Sequence, residues 1–169
     1  MNRAGKINYY CGAFLSYLIT NGVEPTLFEA TVRSQVVKFS LRDKTYKAYV
    51  KYVGKPRMST VGGKTFSNWD SSFTPNEREN IRTGFSDGSS EAIVVTVCTT
   101  PDFDYTEFAV LPLEDALKCM GDDNINKRPR ITYKLQKNGK HLKYYGTTIS
   151  DKNAKKVPNC DVYFGFDQM

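Results

Sequence analysis

The chain has 169 residues, a size that fits one domain and can bury a core without disulfide or metal staples. It is 40% hydrophobic, 25% charged and 13% aromatic, with 11 Tyr, 10 Phe and one Trp, and its net charge is +6. Cys11, Cys98, Cys119 and Cys160 are too far apart for a CxxC zinc or thiol-redox hook, and the single histidine, His141, argues against a transition-metal site.

Residues 6–20 predict a helix, with Ile7, Tyr10, Cys11, Phe14 and Leu18 on one apolar stripe and Asn21-Gly22 as its stop. Arg3 and Lys6 ahead of an apolar run loosely mimic a signal peptide. Tyr17 breaks the run, no small-x-small cleavage pattern follows, and the run is too short to span a bilayer. Residues 31–41 and 45–53 predict two strands joined at Arg42-Asp43-Lys44. In the second, Tyr46, Ala48, Val50 and Tyr52 share one face, and Lys47, Tyr49, Lys51 and Val53 the other. Residues 54–73 read as a loop rich in Gly, Ser, Thr and Lys, with a short strand around Thr65 to Trp69. Trp69 is either a contact anchor or a pin holding this loop to the core.

Thr74-Pro75-Asn76-Glu77 is a capping-box start for a helix to about Arg82, with Gly84 as its stop. Residues 91–99 predict a strand buried on both faces, residues 105–111 another strand, and residues 112–120 a short helix ended by Gly121. Asn138-Gly139 predicts a two-residue hairpin turn within residues 130–146. That register sets Leu135 opposite Leu142, Tyr133 opposite Tyr144 and Lys134 opposite Lys143. Its polar face carries Thr132, Lys134, Gln136, His141, Lys143 and Tyr145. Directly opposed lysines cost stability, so this face is either a partner surface for an anion or a guard against strand-to-strand aggregation. Cys160 to Phe166 reads as a last strand that closes the sheet. The expected fold is one α+β domain with a mixed or mainly antiparallel sheet, an N-terminal helix and two shorter helices.

Three sequence patterns suggest chemistry. Gly84-Phe85-Ser86-Asp87-Gly88 matches G-x-S-x-G, but a helix precedes it and a strand follows, the reverse of a nucleophile elbow. Gly62-Gly63-Lys64-Thr65 is like the end of a phosphate-binding loop, with Met58 where glycine is required. Asp102, Asp104 and Glu107 lie close together without calcium-loop spacing.

The order helix, β-meander, helix, buried strand over roughly residues 6–120 resembles the core of the PD-(D/E)xK nucleases. The resemblance implies a magnesium site built from an acid on one strand and a carboxylate and lysine two residues apart on the next. The matching position here reads Tyr49-Val50-Lys51, with Tyr49 in the place of the carboxylate. An active site on that plan requires Glu29, Asp43 and Lys51 to converge.

Charge is segregated along the chain. Residues 1–64 carry 11 Lys/Arg and 3 Asp/Glu, residues 65–123 carry 3 and 12, and residues 124–169 carry 10 and 3. If the two basic segments share a face they form a polyanion-binding surface; if they interleave they neutralise each other.

The leading expectation is a non-enzymatic binding protein. Lys47, Tyr49, Lys51, Lys134, His141, Lys143, Tyr145 and Trp69 would contact nucleic acid or an acidic protein surface. A phage or mobile-element inhibitor, using the acidic middle third to block a nucleic-acid-binding partner, is a second expectation. A divergent metal-dependent nuclease is a third. No cofactor and no membrane partner are implied, four buried reduced thiols fit the cytoplasm, and oligomeric state is open.

Overall fold

The computed structural model describes residues 4–31, 34–85, 88–122, 124 and 126–169. Two five-stranded sheets pack face to face, with helices on the outer side of the first and at the margins of the second. Helix α1 (Lys6–Thr20) is as the apolar stripe predicts, burying Ile7, Cys11, Phe14 and Leu18. It leads to β1 (Thr26–Ala30), β2 (Gln35–Leu41) and β3 (Lys44–Val53), an antiparallel meander. The chain then leaves this sheet for the hairpin β4 (Arg57–Val61) and β5 (Lys64–Ser72), forms α2 (Pro75–Gly84), and returns as β6 (Glu91–Thr99). Strand β6 pairs in parallel with β3, and β7 (Thr106–Pro112) completes the first sheet in the order β1-β2-β3-β6-β7. Helix α3 (Leu113–Met120) follows.

The second sheet joins that early hairpin to the C-terminal part of the chain. Its order is β10-β9-β8-β5-β4, with β8 (Arg130–Gln136), β9 (Lys143–Gly146) and the two-residue β10 (Lys155–Lys156). Pairs Tyr133–Tyr144 and Lys134–Lys143 fall in the register that Asn138-Gly139 sets, but the ladder ends there: Leu135 and Leu142 are not paired, and Gly139 N donates to Gln136 O at 2.7 Å, so a loop over 137–142 replaces the expected two-residue turn.

Several expectations change. The chain builds two sheets where one was expected. The stretch 54–73 is the β4–β5 hairpin, longer than the short strand foreseen. Its turn is Gly62-Gly63, whose φ of 57° and 76° suits the tight hairpin geometry that only glycine adopts cheaply. Gly62-Gly63-Lys64-Thr65 is therefore a hairpin turn and not a phosphate loop. Cys160 to Phe166 is not the closing strand that its pattern predicts. It is helix α4 (Cys160–Phe164) with a turn at Phe166–Gln168, because Asn159 Oδ1 accepts from the Asp161 and Val162 amides and caps the chain into a helix. Ser86 and Asp87 of the G-x-S-x-G match lie outside the described residues.

The core has two compartments. Helices α1 and α4 cover one face of the first sheet through Phe14, Leu18, Phe39, Val50, Val95 and Phe164. The second sheet, α2 and α3 cover the other through Trp69, Phe73, Val94, Leu111, Ile131 and Tyr133. Polar pins tie the sheets together: Trp69 Nε1 donates to Thr99 O at 2.9 Å, and Thr96 Oγ1 donates to the Tyr133 hydroxyl at 3.2 Å. No helix among the described residues is long and apolar enough to cross a membrane.

Candidate functional site

Alternation along the second sheet sends Trp69, Ile131, Tyr133 and Tyr144 inward and their neighbours outward. The five strands of this sheet hold seven lysine and arginine residues and one acid, Asp70. Six of the seven cations alternate onto the outer face: Arg57, Lys64, Arg130, Lys134, Lys143 and Lys156.

The centre of this face is a closed polar network. Arg57 Nε donates to Asp70 Oδ2 at 3.0 Å, and the Thr132 hydroxyl donates to Asp70 Oδ1 at 2.8 Å. Partial burial alone would raise the Asp70 carboxyl; the Arg57 and Thr132 bonds outweigh it and hold the group below its ordinary value. Asn68 is buried, donates to Ser59 Oγ at 2.9 Å and accepts from the Tyr145 hydroxyl at 3.3 Å. Lys134 pairs with Asp151 and lies 4.8 Å from the Phe66 ring centroid. Around this network stand Lys64, Lys143 and Lys156, all exposed, and the half-buried Arg130. These four make no ion pair among the described residues.

Of the residues expected at the interface, Lys134, Lys143 and Tyr145 lie on this face, and His141 is exposed beside the hairpin turn. Tyr145 is buried and bonded, so it orders the surface and does not offer a free ring. Lys47, Tyr49 and Lys51 face the other way, from the first sheet into the space beneath the second and α2. The basic strands 44–52 and 132–145 therefore do not share a face, whereas Arg57 and Lys64 of the first basic segment do join the last segment on the outer face of the second sheet. Lys51 is 7% exposed; its Nζ donates to Ser72 O at 2.5 Å and to Glu77 Oε1 at 3.2 Å. Trp69, 1% exposed, is a core pin. Sequence reasoning missed Arg57, Lys64, Arg130 and Lys156. Two-residue alternation of Arg57, Ser59 and Val61 was the available signal, obscured by the glycines after it.

A cleft of about 500 Å³ opens between β1, β3 and α2. Tyr49 and Glu77 lie within it and Phe28 and Phe85 border it. Glu77 is fully engaged: Oε1 accepts from the Tyr49 hydroxyl at 3.0 Å as well as from Lys51, and Oε2 accepts from the Thr74 amide at 2.7 Å. Burial would raise this carboxyl, but the Thr74 amide and the Lys51 ammonium hold it below its ordinary value. Glu29 lines the same cleft, whereas Asp43 sits in the β2–β3 turn at the opposite end of β3 from Lys51. Glu29, Asp43 and Lys51 do not converge. The acids lining this cleft do not fit a magnesium ion: the half-buried Glu77 has both oxygens occupied and an ammonium against it.

Elsewhere, Asp102 Oδ1 accepts from the Asp104 amide in a local turn, and Glu107 accepts from the Tyr105 hydroxyl. The four cysteines are free and buried, and burial pushes the thiols of Cys11, Cys119 and Cys160 up to about 12, which keeps them protonated and unreactive. Much of the acidic middle segment is met internally, through Asp70–Arg57, Glu77–Lys51, Glu79–Arg82, Glu91–Lys44 and Glu114–Lys118. No protein-family model, curated protein or solved structure matches this chain.

Proposed function

We propose that this protein binds nucleic acid through the phosphate backbone, using the outer face of its second sheet. The observation that supports this reading most is the six-cation outer face, whose only strand-borne acid, Asp70, is already held by Arg57. Surplus ammonium and guanidinium groups on a rigid sheet attract phosphates by charge and by counterion release, and they carry no base-specific readout. The bonded Asn68–Tyr145–Asp70–Thr132 network fixes the strand spacing beneath them. In this reading Lys134, opposite Lys143, is a charge centre held in place by Asp151 and the Phe66 ring. Four free buried thiols fit work in the reducing cytosol.

Fluorescence anisotropy with labelled single-stranded DNA, single-stranded RNA and duplex DNA tests it. Affinity should fall steeply with salt. The exposed pair Lys143→Glu with Lys156→Glu should weaken binding at least about tenfold and lower the salt slope by more than about one. Binding indifferent to salt, or unchanged by this double charge reversal, would refute it.

A further inference from the structure

Where β5 ends and β8 begins, the outer face of the second sheet runs into a basic trough. Two adjoining concavities form it. One, of about 380 Å³, has walls of Ser72, Gly146 and Thr147; the other reaches the first turn of α2 at Thr74 and Pro75. Lys127 and Arg128 line both, Arg130 lines the first and Arg78 the second. No carboxylate lines either one among the described residues. Asp70, on which the Arg130 charge acts, is already bonded to Arg57 and Thr132. Asp122 lines a different concavity and accepts from the Asn124 amide at 3.0 Å. Arg78 is a buried wall, with Nη1 donating to Gly121 O at 3.3 Å. The cations that reach solvent are Lys127, Arg128 and, half-buried, Arg130.

A run such as Lys127-Arg128-Pro129-Arg130 is ordinarily a solvated loop, and ordering it around a ligand costs entropy. Here the backbone is already tied on both sides. Pro129 is buried, and its carbonyl accepts from the Phe73 amide at 2.9 Å. The Thr147 hydroxyl accepts from the Arg130 amide at 2.9 Å and donates to Arg128 O at 3.2 Å. A residue before proline is held extended, and in extended chain alternate side chains share a side about 7 Å apart. Arg128 and Arg130 therefore flank the buried Pro129 and project together into the first concavity. That spacing lets two guanidinium forks close on one phosphate.

We propose that this trough holds the terminal phosphate of a nucleic-acid strand whose backbone crosses the outer face of the second sheet. This end site presupposes the outer-face interface, which brings the strand to it. A phosphate monoester carries about two negative charges near neutrality, against about one for a backbone diester. It therefore gains more from three cations set around one concavity. The trough lies at the margin of the sheet, where a strand on the outer face comes to its end. The same monoester occurs at a 5′ end or at a 3′ end.

Fluorescence anisotropy on the whole chain tests this, with a short, internally labelled single-stranded DNA that is 5′-phosphorylated, 3′-phosphorylated or bare at both ends. One phosphorylated form should bind at least about fivefold more tightly than the bare strand, and which one does so identifies the end that is held. Lys127→Gln with Arg128→Gln, at exposed side chains that make no ion pair among the described residues, should bring that ratio to within about twofold of one. Equal affinity for the three strands overturns the end site, as does a ratio that survives the double substitution. The two readings fail separately. A bare strand that binds with steep salt dependence and is released by Lys143→Glu with Lys156→Glu, but is indifferent to a terminal phosphate, removes the end site alone. Absence of binding by every strand removes both.

Discussion

Lys51 looks like a surface lysine in an alternating strand, but it is buried, and its ammonium is bonded to Ser72 O and Glu77. Periodicity gave its face correctly; it could not give what that face packs against. Glu77 then combines two tasks, capping α2 through the Thr74 amide and neutralising Lys51. Its carboxyl is held below the ordinary value, so it stabilises the fold above the ordinary carboxylate range, and that contribution is lost as pH falls through the lowered value. Glu77→Gln should therefore cost about 2 kcal/mol near neutrality. The gap to the native protein should narrow in urea titrations as pH falls below the ordinary carboxylate range. Trp69→Phe removes the indole bond to Thr99 O and part of the core contact with Tyr105, and should cost about 2 kcal/mol. The native Trp69 emission should be blue-shifted and shielded from quenchers, as its burial requires.

Elements bounded by strong local chemistry were legible. Helix α2 begins at its capping box, α1 follows its apolar stripe, and the β8–β9 register follows Asn138-Gly139. Elements lacking such signals were not. Strand β1 has Leu27, Phe28 and Glu29 in succession with no alternation, and a register shift between Leu27 and Glu29 distorts its pairing. Residues 160–166 carry aromatics at spacings that suit strand or helix, and only the Asn159 cap decides. The tightest local constraint was invisible to pattern reading. A Cβ on Gly146 would lie 2.1 Å from Arg130 O and 2.7 Å from Cys119 Sγ, where β9 crosses both β8 and α3. Gly146→Ala should therefore cost about 3 kcal/mol or more, seen as a drop in urea midpoint without a change of slope.

For the molecule as a whole, dividing charge by thirds of the sequence was the wrong partition. The sheets are the units that segregate it. The second sheet collects its cations from the first third, through Arg57 and Lys64, and from the last, through Arg130, Lys134, Lys143, Lys155 and Lys156. Lys47 and Lys51, equally basic in the sequence, go to the first sheet. The α+β class and most elements could be read from the chain, but the assembly of one sheet from residues some seventy positions apart could not, since nothing local marks Phe66 as the partner of Gln136. Deleting the β4–β5 hairpin, as 56–73 replaced by a short linker, should abolish nucleic-acid binding along with the second sheet, detectable as loss of strand signal in circular dichroism.

That the β4–β5 hairpin lies within the connection from β3 to β6 has a bearing on how the chain is born. During synthesis every strand of the first sheet is complete once Pro112 emerges, yet β5 must wait for β8, which begins at Arg130. Until then one edge of β5 and the apolar side of Trp69 and Phe73 lack the cover that β8 gives them. Parallel and long-range pairings close slowly, and uncovered strand edges recruit neighbouring chains. Lys64, the one cation on β5, would then stand at that open edge as a charge that disfavours pairing with other copies.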